Sequence, residues 1–240
     1  MPSKIQVKNS FSKSHNSYHE AAVVQREMAT RLVGQLSELN SSFGKVLELG
    51  SGTGVLTEQL LKQMKIQTLF CNDLTDCSSF KTEDTTFLPG DAEEIAYPEN
   101  LDLIISNAVV QWFDDLPQFF EKSSAVLNRG GFLAFTTFGP ENFREIRSVT
   151  QSGLDYRSLE ELVGLLEQDY KVRFQREELV TLEFETPRTL LQHLKETGVN
   201  GLDKKSWTKT AYKDFCQNYP RLNQKCPLTY HPITIIAELK

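Results

Sequence analysis

The chain has 240 residues, 39% of them hydrophobic and 24% charged, with a formal net charge of −6. That length and mix suit one globular α/β domain able to bury its own core without disulfide or metal staples. The acidic balance argues against a general nucleic-acid binder, whose electrostatic footprint is basic, and no apolar run approaches the roughly 20 residues that span a bilayer.

Met1 to Asn16 is polar and lysine-bearing, unlike a secretory signal, so a cytoplasmic location is expected. From Lys45 onward, strand-like apolar runs alternate with helical patterns. Lys45 to Leu49 reads as a buried strand, and Val55 to Met64 as a helix with one apolar face. Thr68 to Asn72 and Leu101 to Ser106 are further strands, with a shorter one at Thr86-Phe87-Leu88. A helix carrying Phe119 and Phe120 follows, and Gly130-Gly131 turns the chain into a strand over Phe132 to Thr137. Such alternation predicts a doubly wound, mostly parallel sheet with its ligand at the carboxyl ends of the strands.

The second half changes character. Ser158 to Gln168 is predicted helical, and the alternation Val180, Leu182, Phe184 within Tyr170 to Glu185 predicts a half-exposed strand. Pro187 starts a helix that Gly198 ends, and a second helix is expected from Ser206 to about Asn218. Pro232 to Leu239 closes the chain as a strand. The helical pair would lie over the sheet edge as a lid.

The strongest motif is Glu48-Leu49-Gly50-Ser51-Gly52-Thr53-Gly54, set between a strand and a helix. Glycines let the backbone turn sharply and approach a ligand where a Cβ would collide. The spacing is Gly-x-Gly-x-Gly, not the dinucleotide Gly-x-Gly-x-x-Gly, and Glu48 suits a cationic ligand with no pyrophosphate to repel. Both details point to S-adenosylmethionine; NAD is the alternative, and it loses on spacing. Asp73, ending the second strand, is placed to accept ribose hydroxyls, or else caps a turn. After the third strand, Asp91 can accept an adenine amino group while Ala92 offers a backbone donor; read alone, Gly90-Asp91 is a turn. Asn107, after the fourth strand, falls near the methionine part of such a cofactor. Trp112 and Phe113 either wall the methyl-transfer site, where an aromatic face tolerates a sulfonium, or belong to the core.

Together these stretches resemble a class I S-adenosylmethionine-dependent methyltransferase, whose fold is a Rossmann-like seven-stranded sheet with a helical lid. Gly130 through Phe143, with Thr137-Phe138-Gly139-Pro140, resembles one branch: the malonyl-acyl-carrier-protein O-methyltransferases of biotin synthesis. Phe11-Ser12 through Tyr18 and Gln25, and Leu190 through Gly198, are similar to that branch too. The resemblance runs over about residues 9 to 239 and implies one domain over 1–240. An N-terminal segment of about 9–36 would cover the cofactor, and a lid of about 187–222 would close the site.

The resemblance implies methylation of the free carboxylate of a malonyl group on acyl carrier protein, an early step toward pimeloyl. The alternatives are another small carboxylate or small molecule as acceptor, or a cofactor-binding protein without activity. A carboxylate is ionised at neutral pH and needs no general base, so no catalytic residue is singled out. A cation to hold the substrate is expected instead. Arg144 is the first candidate and Arg147 the second, the alternative for Arg144 being a surface charge paired with Glu141 or Glu145. Tyr18 would close over cofactor and substrate. His193 reads as a structural histidine or a donor in the substrate wall. No metal is expected: His15 and His19 lack a third ligand nearby, and Cys71, Cys77, Cys216 and Cys226 show no zinc spacing and read as reduced thiols. An acidic carrier would dock on a basic patch at Lys195, Lys204 and Lys205, extended by Lys209.

Overall fold

The structure, a computed structural model, describes residues 4, 5, 8, 18, 20–75, 85–198 and 208–240. The apolar run of β1 (Ser42–Leu49) is buried on both faces from Val46 onward, which requires a neighbour strand on each side and a helical layer above and below. β2 (Lys65–Asp73) and β4 (Leu101–Asn107) flank it in parallel. β3 (Thr85–Pro89), β5 (Leu127–Phe138), β6 (Tyr170–Glu177) and β9 (Pro232–Leu239) complete a seven-stranded sheet in the order β3-β2-β1-β4-β5-β9-β6. Only β9 runs against its neighbours.

Side-chain alternation sends Val46, Leu69, Leu103, Ile105 and Ile236 to one face, against helices α1 (Val23–Leu39) and α2 (Val55–Gln63). Leu47, Leu49, Ile104, Phe135 and Ile235 point the other way, against α3 (Leu116–Val126) and α5 (Leu159–Leu166). Between those two helices in sequence comes the short α4 (Arg144–Thr150), whose Ile146 packs in a separate core described below. Ser158 opens α5 with a reciprocal cap: its side chain takes the Glu161 amide, and Glu161 takes the Ser158 amide.

The second half holds more strands than expected. The half-exposed strand expected at Val180, Leu182 and Phe184 is β7 (Val180–Phe184), standing in a second sheet, while the first part of Tyr170 to Glu185 forms β6 at the edge of the main sheet. The partner of β7 is β8 (Cys226–Tyr230), an antiparallel strand that pattern reading missed because its residues are buried throughout and show no alternation. The ribbon β7–β8 packs with α6 (Pro187–Glu196) and α7 (Lys209–Asn218) into a third core. There Phe138, Phe143, Leu190, Phe215 and Tyr230 meet Val24 and Met28 of α1. The two expected helices thus rest on a ribbon rather than on the sheet edge alone.

Candidate functional site

The chain winds outward from β1 through β2 to β3, then returns to place β4 on the other side of β1. The carboxyl ends of β1 and β4 therefore diverge, and a crevice opens there. Gly50 turns the chain out of β1 with φ +72°, and a Cβ on it would lie 2.2 Å from Val109 Cγ2. Its amide and that of Ser51 donate to the Asn72 carbonyl at 2.8 and 2.9 Å.

Asp73 and Asn72 then tie three loops together. Asp73 Oδ2 accepts from the Gly52 amide at 2.9 Å, and its Oδ1 accepts from both the Thr75 amide and hydroxyl at 2.8 Å. The Asn72 side-chain amide donates to the carbonyls of Leu88 at 2.8 Å and Gly90 at 2.9 Å, and so holds the loop that carries Asp91 and Ala92. Sequence reasoning singled out Asp73 and gave Asn72 no role. Its only signal was a buried polar residue at a strand end.

The loop after β4 is fixed from the far side. Asn107 Nδ2 donates to the Gln25 carbonyl at 3.0 Å, and its Oδ1 accepts from the Thr136 hydroxyl at 2.7 Å. Ala108 is held at φ +55°, a conformation that costs an L-residue about 1–2 kcal/mol. Its amide is bonded to Thr136 Oγ1 at 3.0 Å. Strain kept in place by neighbouring hydrogen bonds is common where a chain must be aimed at a ligand.

A cavity results. Of the residues expected at a cofactor or methyl-transfer site, Tyr18, Gly50, Gly52, Asp73, Asp91, Ala92, Asn107, Trp112 and Phe113 line it. Phe113 is buried with its ring edge-on to Phe119 at 4.8 Å, so it serves the core and the cavity wall at once. Ser51 and Thr53 line the cavity as well. Their buried hydroxyls find no hydrogen-bond partner among the described residues, as fits a wall that meets a polar ligand. Burial and the nearby Asp73 carboxylate push the Tyr18 phenol above its ordinary range, so it stays neutral.

Glu48 and Gly54 are not on this wall. Gly54, at φ +83°, caps α2. Glu48 is fully buried behind the loop, where Oε2 accepts from the Thr57 hydroxyl at 2.8 Å and from the Cys71 thiol at 3.8 Å. Desolvation pushes its carboxyl up to about 7, against the pull of the Thr57 and Cys71 bonds. The folded chain thus holds this proton more tightly than the unfolded chain. The stability linked to it is full below about pH 4.5 and is lost as pH rises to about 7. We expect the native protein to lose roughly 3 kcal/mol relative to Glu48→Gln across that window, as read from urea unfolding at a series of pH values. A constant difference from pH 4.5 to 7 would mean that Glu48 is ionised throughout.

Two candidates on the substrate side lie elsewhere. Arg144 is half-exposed and bonded to Glu141 and Glu145, each at 3.3 Å, and the Glu141 bond foremost raises its pKa. His193 is bonded through Nε2 to the Tyr230 hydroxyl at 2.7 Å, with its ring 5.1 Å from Phe184. Burial lowers its pKa and favours the neutral imidazole. Lys195 is exposed on α6, while Lys204, Lys205, His15, His19 and Cys77 lie outside the described residues. Among the described residues, no group of three or more His, Cys, Asp or Glu is placed to hold a metal ion.

A family profile described as "Methyltransferase domain" matches residues 47–135, from the middle of β1 into β5. The chain is 39% identical to the malonyl-[acyl-carrier protein] O-methyltransferase of Bacteroides thetaiotaomicron, over 96% of either chain. It is 40% identical over 98% of its length to the protein of that name from Bacteroides fragilis, and spans 50% of that longer chain. Among solved structures, a candidate methyltransferase from Bacillus halodurans C-125 aligns at 16% identity with a TM-score of 0.62, covering 87% of this chain and 97% of that one. It shares the fold. Sheet order, glycine loop and cavity define a class I methyltransferase that takes S-adenosylmethionine as methyl donor. Similarity from end to end with the B. thetaiotaomicron protein is more specific: the chain belongs to the malonyl-[acyl-carrier protein] O-methyltransferase family.

Proposed function

We propose that the chain methylates the free carboxylate of a malonyl group carried on acyl carrier protein, an early step of biotin synthesis. The observation that carries this reading is the match over 96% of both chains to a relative of that name. It acts as one domain over residues 1–240, the segment of about 9–36 covering the cofactor and that of about 187–222 serving as lid. No described helix is long and apolar enough to cross a membrane, and we place the enzyme in the cytoplasm.

Bound S-adenosylmethionine supplies a methyl group on a cationic sulfur that leaves as a neutral thioether. Asp73 takes the ribose hydroxyls, Asp91 and the Ala92 amide take the adenine, and Gly50 and Gly52 let the loop approach the ligand, while Gly54 starts α2 behind it. Asn107 faces the methionine end. Glu48 acts from behind, through α2 and the loop it supports. Trp112, Phe113 and Tyr18 wall the methyl-transfer site and exclude water, so alignment does most of the catalysis. Arg144 and His193 serve the acceptor side indirectly: Arg144 holds Glu145, which accepts from the Thr229 amide and hydroxyl in β8, and His193 holds Tyr230. The acidic carrier docks beside the lid on Lys195, Lys204, Lys205 and Lys209.

The test is to incubate the protein with labelled S-adenosylmethionine and malonyl-, acetyl- or no acyl group on the carrier, and to detect the methyl ester by mass spectrometry. We expect malonyl-carrier alone to be methylated. Charge reversal of Lys195, Lys204 and Lys205 should raise KM for malonyl-carrier on the order of tenfold, with less effect on malonyl-CoA, because only the carrier presents an acidic surface. Cofactor binding without methylation of malonyl-carrier would point to a small-molecule acceptor instead.

A further inference from the structure

Lys4 precedes the segment of about 9–36, yet its side chain lines the cofactor cavity together with Asp91 and Phe113. Its ammonium is bonded to the Glu93 carboxylate, lies 3.6 Å from Asp91 Oδ2, and stands 5.4 Å from the centre of the Phe113 ring. Asp91 Oδ1 is committed to the Glu93 amide at 3.0 Å. The oxygen left to meet a ligand is therefore Oδ2, the one that faces Lys4. Sequence reasoning gave Lys4 no role.

Glu93 joins the parts of this end. Its Oε1 accepts from the Asp114 amide at 2.8 Å and the Asp115 amide at 2.9 Å, and its Oε2 takes Lys4. One carboxylate thus ties Lys4 to the loop after β3 and to the segment after β4. Burial raises the Glu93 pKa, but the Lys4 bond and the two amides outweigh it and hold the carboxyl below its ordinary range. The loop itself does not depend on Lys4. Lys122 of α3 donates to the carbonyls of Ala92 and Glu93 at 3.0 Å each, with its ammonium 4.0 Å from the centre of the Tyr97 ring. The Tyr97 hydroxyl donates to the Ala92 carbonyl at 2.9 Å. Lys122 does not line the cavity, whereas Lys4 does. What Lys4 adds is closure: a part-buried ammonium, held by two carboxylates and an aromatic face, at one end of the cavity.

We infer that Lys4 closes the adenine end of the cofactor cavity, anchored by Glu93. The anchor sets how fast S-adenosylmethionine and its demethylated product, S-adenosylhomocysteine, enter and leave. Adenine carries no charge to repel the ammonium, and the cationic sulfur belongs at the other end, by Asn107. Entry and release both require the Lys4–Glu93 bond to open, so its loss speeds both and changes affinity less. This assignment rests on the proposed placement of adenine at Asp91.

The experiment measures association and release of S-adenosylhomocysteine by stopped flow, with Kd and Tm, for native protein, Lys4→Gln, Lys4→Arg, Glu93→Gln and the double variant Lys4→Gln with Glu93→Gln. We expect Lys4→Gln to speed release on the order of tenfold and association severalfold, so that Kd rises by no more than about threefold. Lys4→Arg should stay close to native. Glu93→Gln keeps an oxygen for the Asp114 and Asp115 amides but gives up the charge, and should speed release as Lys4→Gln does. The double variant should release no faster than either single one, because both remove the same bond. Tm of Lys4→Gln should stay within about 2 °C of native, since Lys122 and Tyr97 still hold the loop. Native release in Lys4→Gln overturns the assignment. So do single effects that add up in the double variant, the mark of two independent contacts. Faster release together with a fall in Tm of several degrees gives Lys4 a structural role and overturns it too. If Glu93→Gln does not fold, Lys4→Gln and Lys4→Arg decide. Asp91→Ala separates the two readings: an unchanged Kd means that adenine does not lie at Asp91, and both fail. Weaker binding in Asp91→Ala with native release in Lys4→Gln overturns only the role of Lys4.

Discussion

Gly50→Ala should weaken S-adenosylmethionine binding by at least about 100-fold. The backbone at Gly50 has φ +72°, a conformation that costs an L-residue about 1–2 kcal/mol. The added Cβ would also sit 2.2 Å from Val109 Cγ2, so the segment after β4 must move away. That segment carries Asn107, Ala108, Trp112 and Phe113, all on the cavity wall. The clash therefore deforms two walls at once, and about 3 kcal/mol of misplacement corresponds to the stated loss in affinity. Isothermal titration measures it directly. Gly34→Ala is the matching control, because Gly34 lies inside α1 with nothing within 4 Å of its added methyl. There alanine should leave cofactor binding intact and stabilise the helix by up to about 1 kcal/mol. Native affinity in Gly50→Ala would show that the loop does not need glycine to reach the ligand.

Asn72→Ala should lower Tm by roughly 5–12 °C, from a loss of about 2–4 kcal/mol. The Asn72 amide is the donor for the carbonyls of both Leu88 and Gly90, and the residue is almost fully buried. Without it two carbonyls lose their partner and the Gly90-Asp91 loop loses its tie to β2. Cofactor affinity should fall as well, by about tenfold. Asn72→Asp is the sharper test: it keeps size and shape, but a carboxylate has no proton to donate to a carbonyl. It should be at least as damaging as alanine. If Asn72→Asp matched the native protein in thermal unfolding and in cofactor titration, the amide would not be what holds these loops.

Much of the cofactor side was legible because its information is local. A strand, a glycine turn and a helix follow one another in sequence, and the acids at Asp73 and Asp91 recur at the ends of successive strands that a parallel sheet must place side by side. The acceptor side was not legible in the same way. β8 is buried on every side and shows no period to read, so its pairing with β7 was missed. Arg144 and Arg147 look alike in sequence, both on one short helix. Their difference lies in which carboxylates and carbonyls surround them.

The sequence by itself determined the sheet's alternating elements, the donor class and the loops that line its cavity, because apolar periodicity and glycine spacing act over a few residues. Only the tertiary structure decided that Glu48 supports the loop from behind instead of facing the ligand. It alone joined Asn72 to the carbonyls of Leu88 and Gly90, and set Arg147 against backbone carbonyls, with no carboxylate bonded to it among the described residues. Each of those outcomes depends on residues distant in the chain becoming neighbours in a low-dielectric interior, where an unmade hydrogen bond or an unmatched charge carries its full cost. No spacing along the chain encodes that proximity.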